Sequence, residues 1–213
     1  MKPLPSGVEN KGVRLKRILV QSIALLAAGL GVACGSPPPV PEDHYYRLQA
    51  VYAAEPSSRK IFPGTMEIDR FVADGLTSER SIVFSESGKP NQVNAYHYHF
   101  WIKPPTVMLR DEMVSFLRNA AIADAVVTPE VRVQAQHVLT GKIKHLEQIT
   151  GEPSRTLLEV ELSVRRPTGG KLLFLKTYRI ENESSGGVAA AVESLNTALS
   201  ILYSDFVVDL MKL

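Results

Sequence analysis

The chain has 213 residues, 45% hydrophobic and 22% charged, with 24 Lys and Arg against 22 Asp and Glu for a net charge of +2. That balance excludes nucleic-acid binding driven by bulk charge. The single cysteine, Cys34, excludes an intramolecular disulfide and any zinc site built from several thiolates.

The N-terminus has the zones of a secretory signal. Lys2, Lys11, Arg14, Lys16 and Arg17 form a basic start, and Ile18 to Ala33 is apolar apart from Gln21 and Ser22. The uninterrupted run from Ile23 to Ala33 is 11 residues, short of the roughly 20 needed to span a bilayer. Small residues then surround Cys34 in Leu30-Gly31-Val32-Ala33-Cys34-Gly35. This pattern predicts a lipoprotein signal over residues 1–33 and a diacylglyceryl and N-acyl lipid on Cys34. Gly31 departs from the leucine usual at that place. The alternative is an ordinary signal cut near Ala33 that leaves a free thiol. Cleavage would take away five Lys/Arg and one Glu, leaving 19 basic and 21 acidic residues and a net charge of −2. Gly35 is not the Asp that retains enteric lipoproteins in the inner membrane, which points to the outer membrane, facing the periplasm. Residues 34–43 are the expected lipidated Cys and Pro-rich linker; with Pro37-Pro38-Pro39 and Pro41, residues 35–43 predict an extended spacer of at most roughly 28 Å at about 3.1 Å per residue. A folded domain is expected over 44–213, long enough for one core.

In the domain, Tyr45-Tyr46-Arg47-Leu48 predicts a short aromatic strand. Met66 to Val72 predicts a second, turning at Ala73-Asp74-Gly75-Leu76, and Arg80 to Ser85 a third, broken by Gly88-Lys89-Pro90-Asn91. Asn94 to Ile102 alternates, with Tyr96, Tyr98, Phe100 and Ile102 expected on one face and Ala95, His97, His99 and Trp101 on the other. Pro104-Pro105 opens a helix, proline being tolerated at its first position, and Leu109, Met113, Phe116, Leu117 and Ala120 give it one apolar stripe. Three longer strands follow around Leu139 to Lys144, Leu158 to Arg165 and Leu172 to Ile180, the middle one with strict alternation. Pro167-Thr168-Gly169-Gly170 predicts the turn between the last two. Val192, Leu195, Leu199, Leu202 and Phe206 predict a closing helix over about Gly187 to Lys212, capped by Ser184 or Ser185. The fold class is therefore α+β: a two-layer sandwich, a mostly antiparallel or mixed sheet packed by two helices.

Catalytic signals are weak. There is no G-x-S-x-G, Walker A, G-x-G-x-x-G or H-E-x-x-H motif. His97 and His99, joined by His44, His137 or His145, could in principle hold zinc, but no third ligand has a telling spacing; half-buried strand histidines are the plainer account. Lys142, Lys144, Arg165 and Arg166 read as a solvated face in preference to a basic stripe. The prediction is a protein without catalytic residues, metal or cofactor beyond the lipid on Cys34.

The order Tyr45-Tyr46-Arg47-Leu48, Ala73-Asp74-Gly75-Leu76, Glu79 to Phe84, then Tyr96-His97-Tyr98-His99-Phe100-Trp101 running into Pro104-Pro105 and Met113 to Arg118, resembles one family. It is similar to the ABC-type transport auxiliary lipoproteins, a group that includes the PqiC-like proteins. The resemblance implies a fold like the N-terminal domain of TolB. It also implies an auxiliary, non-enzymatic role beside an MCE-domain protein, an ABC ATPase and a permease that move phospholipid or other hydrophobic molecules. A homo-oligomer is compatible with that role. Asp74, Arg80, Tyr96, Tyr98 and Trp101 are the expected partner-facing residues, the rival being that the aromatics among them are core. A pilot or assembly lipoprotein of another envelope complex is the alternative function.

Overall fold

The computed structural model describes residues 40–213, so the signal segment, Cys34 and the first prolines of the linker lie outside the described residues. Strand and helix order among them is β1 (His44–Tyr46), β2 (Phe62–Ile68), β3 (Val72–Ala73), β4 (Ser81–Glu86), β5 (Lys89–Trp101), α1 (Pro105–Ala120), β6 (Ala123–Val127), β7 (His137–Thr150), β8 (Arg155–Arg165), β9 (Leu172–Glu183) and α2 (Val188–Leu210). Glu42 to Leu213 forms one compact unit.

β8, between β7 and the edge strand β9, keeps the strict alternation. Its Leu158, Val160, Leu162 and Val164 are all buried, as expected for a strand with one face on the core. β7 runs antiparallel to β8 from Val138↔Arg165 to Ile149↔Arg155, and β9 continues the sheet on the other side of β8. The far edge of β7 is shared. Its first residues pair with β2, its middle with β3 and its last four with β4, all parallel. The sheet therefore forks at β7. One prong is β2–β6, and the other is β4–β5–β1.

The result is an α+β fold in which a mixed sheet curls over two helices. It is less antiparallel than the alternation alone suggested: β1/β5, β2/β6 and every strand on the forked edge of β7 pair parallel. α1 carries the chain from β5 across to β6, so that β6 and β7 return to meet β2, β3 and β4 in the same direction, and the segments from β2 to β4 separate β1 from its parallel partner β5.

Both helices bury the predicted stripes. Leu109, Met113, Phe116, Leu117 and Ala120 of α1 and Val192, Leu195, Leu199, Leu202 and Phe206 of α2 all lie in the core. Tyr203 locks the two helices together, its buried hydroxyl donating to the Leu109 carbonyl at 2.7 Å. Pro105 occupies the first turn of α1 as expected. The predicted cap on α2 is corrected: Gly187 holds that place at φ 75° with no side-chain cap, and the Ser184 N–H is spent on the Ser154 carbonyl. At the fork, Gly141 faces the Phe71 ring, and a Cβ there would stand 2.7 Å from it. Phe71 fills the gap where β2 has ended and β3 has not begun, so the one strand expected over Met66–Val72 is two.

Candidate functional site

The aromatic prong is built by β1 laid parallel on the end of β5, with Tyr45↔Phe100 and Tyr46↔Trp101 in register. The predicted alternation of β5 fails here. Its pairing with β4 slips by three residues between Val83↔Ala95 and Ser81↔Phe100. That bulge turns Tyr96 and His99 toward each other, edge to face with ring centroids 5.5 Å apart. His97 is exposed instead of sharing a face with His99.

His99 is the hub. The Tyr46 hydroxyl lies 2.9 Å from His99 Nδ1, and the His44 ring stacks on His99 at 5.0 Å. Burial, then the neighbouring His44, holds the His99 pKa below its ordinary 6.5. Tyr96 packs on Phe84 at 4.4 Å and donates its hydroxyl to Gln148 Oε1 at 3.0 Å. Its phenol pKa is raised by burial.

The five residues expected to face a partner therefore separate. Trp101 is 1% exposed and belongs to the core; it is corrected out of the surface, because the bulge sets it inward beneath β1. Tyr96 is half-buried and internally bonded. Tyr98 is 43% exposed. Arg80 donates from Nε to the Trp101 carbonyl at 3.0 Å and spreads over the Tyr45 ring at 5.7 Å, so it clamps β1 to β5 while remaining exposed. Asp74 is exposed and pairs with Lys142 at 2.8 Å. The Lys144–Glu161 pair, at 2.9 Å, likewise neutralises the second strand lysine, as a solvated face implies.

Two exposed residues complete this surface, Tyr45 from the first expected strand and Leu76 from the turn between Asp74 and Arg80. Tyr45 is 56% and Leu76 43% exposed, and with Arg80, Ala95 and Phe100 they line one shallow groove of about 340 Å3. Its signal was the parallel register of β1 on β5, which no local pattern encodes.

A second, larger cavity of about 750 Å3 opens at the other end of β7. The chain before β2, the start of β7, the β8–β9 turn and the end of α2 enclose it. Phe62, Leu173, Leu210 and Met211 supply apolar walls, and Arg59, Arg166 and His137 supply polar ones. A bulge between Val164↔Phe174 and Arg165↔Leu172 places Leu173 here and leaves Leu172 exposed. Asp209 holds α2 beside the cavity. It accepts from Lys176 Nζ at 2.6 Å, Tyr178 Oη at 2.9 Å and Lys212 Nζ at 2.7 Å, which together draw its carboxyl far below the usual range.

His137 is only 7% exposed, and its ring is tilted against Phe62 with centroids 4.9 Å apart. Its Nδ1 has no hydrogen-bond partner among the described residues. Burial, then the Arg166 charge, keeps its pKa below the ordinary value. Among the described residues no three His, Cys, Asp or Glu side chains converge to hold a metal ion.

These features define a small α+β domain with an aromatic surface at one end and an open cavity at the other. A family model described as the ABC-type transport auxiliary lipoprotein component matches residues 46–205, and the chain belongs to that family. As a member of a lipoprotein family it is associated with the cell envelope; no helix among the described residues is long and apolar enough to cross a membrane. Protein XCC0632 of Xanthomonas campestris, a DUF330 family structure, is similar with a TM-score of 0.65 at 16% identity, over 76% of this chain and 92% of that one. A second solved structure, described as an uncharacterized protein, has a TM-score of 0.62 at 12% identity over 78% and 97%. At these identities the likeness concerns the fold. No curated protein matches the chain.

Proposed function

We propose that this protein is a non-enzymatic auxiliary lipoprotein of an MCE/ABC-type transport system that moves phospholipid or another hydrophobic substrate across the bacterial envelope. The single observation that carries the proposal is membership, over residues 46–205, of a family of ABC-type transport auxiliary components. In this reading the lipid on Cys34 anchors the chain in the outer membrane, facing the periplasm, and two or three acyl chains make the anchor durable. The TolB-like description of the domain belongs to the same reading.

The aromatic prong is the docking surface for the transport apparatus. Tyr45, Arg80, Tyr98 and Phe100 present exposed or half-buried aromatic and guanidinium groups, the residue types enriched at interfaces, with the exposed Leu76 beside them. Affinity purification from native membranes tests the role. Recovery with an MCE-domain protein and its ABC components is expected, and the Arg80→Ala, Tyr98→Ala double variant should lose them. Recovery without any such component would overturn the reading. Palmitate labelling of the wild type, absent from Cys34→Ala, tests the anchor separately.

A further inference from the structure

We propose that the cavity at the start of β7 is a binding site for a single-chain anionic lipid, its headgroup held by Arg59 and Arg166 and its acyl chain laid along Phe62, Leu173 and Met211. The inference goes beyond the transport reading and rests on the chemistry of the cavity alone.

Three observations carry it. The first is size and lining. About 750 Å3 lies within the roughly 300–1,000 Å3 of small-molecule sites, and its lining is divided about evenly between apolar groups and polar ones such as Gln134, Gln136 and Thr168. Leu173 is brought in by a bulge, and Met211 is half exposed beside the buried Leu210.

The second is charge. Some surface lysines are matched, Lys142 with Asp74, Lys144 with Glu161, Lys176 and Lys212 with Asp209, while among the described residues Arg47, Arg70, Arg132 and Lys171 are not; what sets Arg59 and Arg166 apart is that both line one cavity. Arg59 and Arg166 have no carboxylate within 4 Å among the described residues. Both are exposed at the rim, where two planar guanidinium forks suit one carboxylate or phosphate.

The third is an unmet hydrogen bond. His137 lines the cavity and is more than nine-tenths buried, yet among the described residues its Nδ1 is unpartnered. A buried polar atom left so costs free energy unless something completes it. A headgroup oxygen, or a water it carries, could do so, since a neutral imidazole either donates or accepts there. Apolar walls beneath a cationic rim fit an acyl chain with an anionic end. A soluble anion would leave the walls unused, and a neutral chain would leave both guanidinium groups unmatched.

The test uses the purified full chain reconstituted in phosphatidylcholine vesicles, with no transport partner present, so its failure is separate from failure of the transport reading. A diazirine analogue of palmitate is photo-crosslinked, and the labelled peptides are mapped. Saturable labelling in the segments around Phe62, Leu173 and Met211 is expected. The Arg59→Gln, Arg166→Gln variant should need about tenfold or more probe for the same yield; both side chains are exposed, so an unchanged thermal melt certifies its fold. Met211→Glu, also at an exposed position, should depress labelling by placing a like charge beside the chain. Labelling elsewhere in the domain, equal labelling by the diazirine analogue of hexadecanol, indifference to the arginine variant, or no saturable labelling would each overturn the proposal.

Discussion

The two ends of β7 carry opposite kinds of surface. The aromatic prong is rich in chemically suggestive residues, yet most are spoken for. Tyr96 is bonded to Gln148, His99 to Tyr46, and Arg80 to the Trp101 carbonyl. The cavity end draws on ordinary residues scattered from Arg59 to Met211, yet among the described residues its two guanidinium groups meet no carboxylate and one buried imidazole nitrogen is unpartnered. Chemical richness in a stretch of sequence is thus a poor guide to free binding capacity. What counts is how much of that capacity the fold has already used.

The sharpest way to break this contrast is at Trp101. If the prong is held by its own interior, Trp101→Ala should cost about 3–5 kcal/mol in denaturant unfolding. A loss below about 1 kcal/mol would return Trp101 to the surface. At the cavity end, Asp209→Ala frees two lysines and the Tyr178 hydroxyl. A loss of about 1 kcal/mol is expected, partly reproduced in wild type by high salt because the lysines are exposed. Unchanged stability and salt response would show that the α2 end is held by packing alone.

Acidity probes both ends together. The folded protein keeps His99 and His137 neutral, with pKa values below the ordinary 6.5. As pH falls below about 6.5, the unfolded chain therefore binds protons first, and stability should drop toward the folded pKa values. His99→Gln and His137→Gln should each flatten that slope in thermal melts between pH 7 and 5. If neither does, these imidazoles are wetter than their surroundings indicate. A separate loss near and below pH 4 is expected from Asp209, whose depressed pKa gives stability that is present above the unfolded carboxylate range and lost as protonation proceeds. The smallest effect is at Tyr98. Tyr98→Ser should change stability by no more than about 0.5 kcal/mol, so any loss of partner recovery would report on docking and not on folding.

Much of the scaffold was legible because its signals are local. The stripe of α1, the stripe of α2 and the alternation of β8 each name residues that are buried. β6 went unread. Its five residues follow α1 after two residues and become a strand only by pairing with β2, as in Phe62↔Ala123 and Met66↔Val126. The faces of β5 were misassigned because a three-residue slip against β4 leaves no mark on β5 itself. The cavity was illegible for the same reason: its walls come from five separated segments, and one of them enters through a bulge in β9.

By itself the sequence determined the family likeness, the two amphipathic helices, the long alternating strands and the expectation of a lipid on Cys34. Each of these is written in adjacent residues or in a fixed period along the chain. Only the tertiary structure decided that β7 forks the sheet, that Trp101 is interior, and that Arg59, Arg166 and His137 share one cavity. Those outcomes depend on parallel pairings and bulges between segments far apart in sequence. A periodic pattern says which face of an element is apolar, and it is silent about which distant neighbour that element will meet.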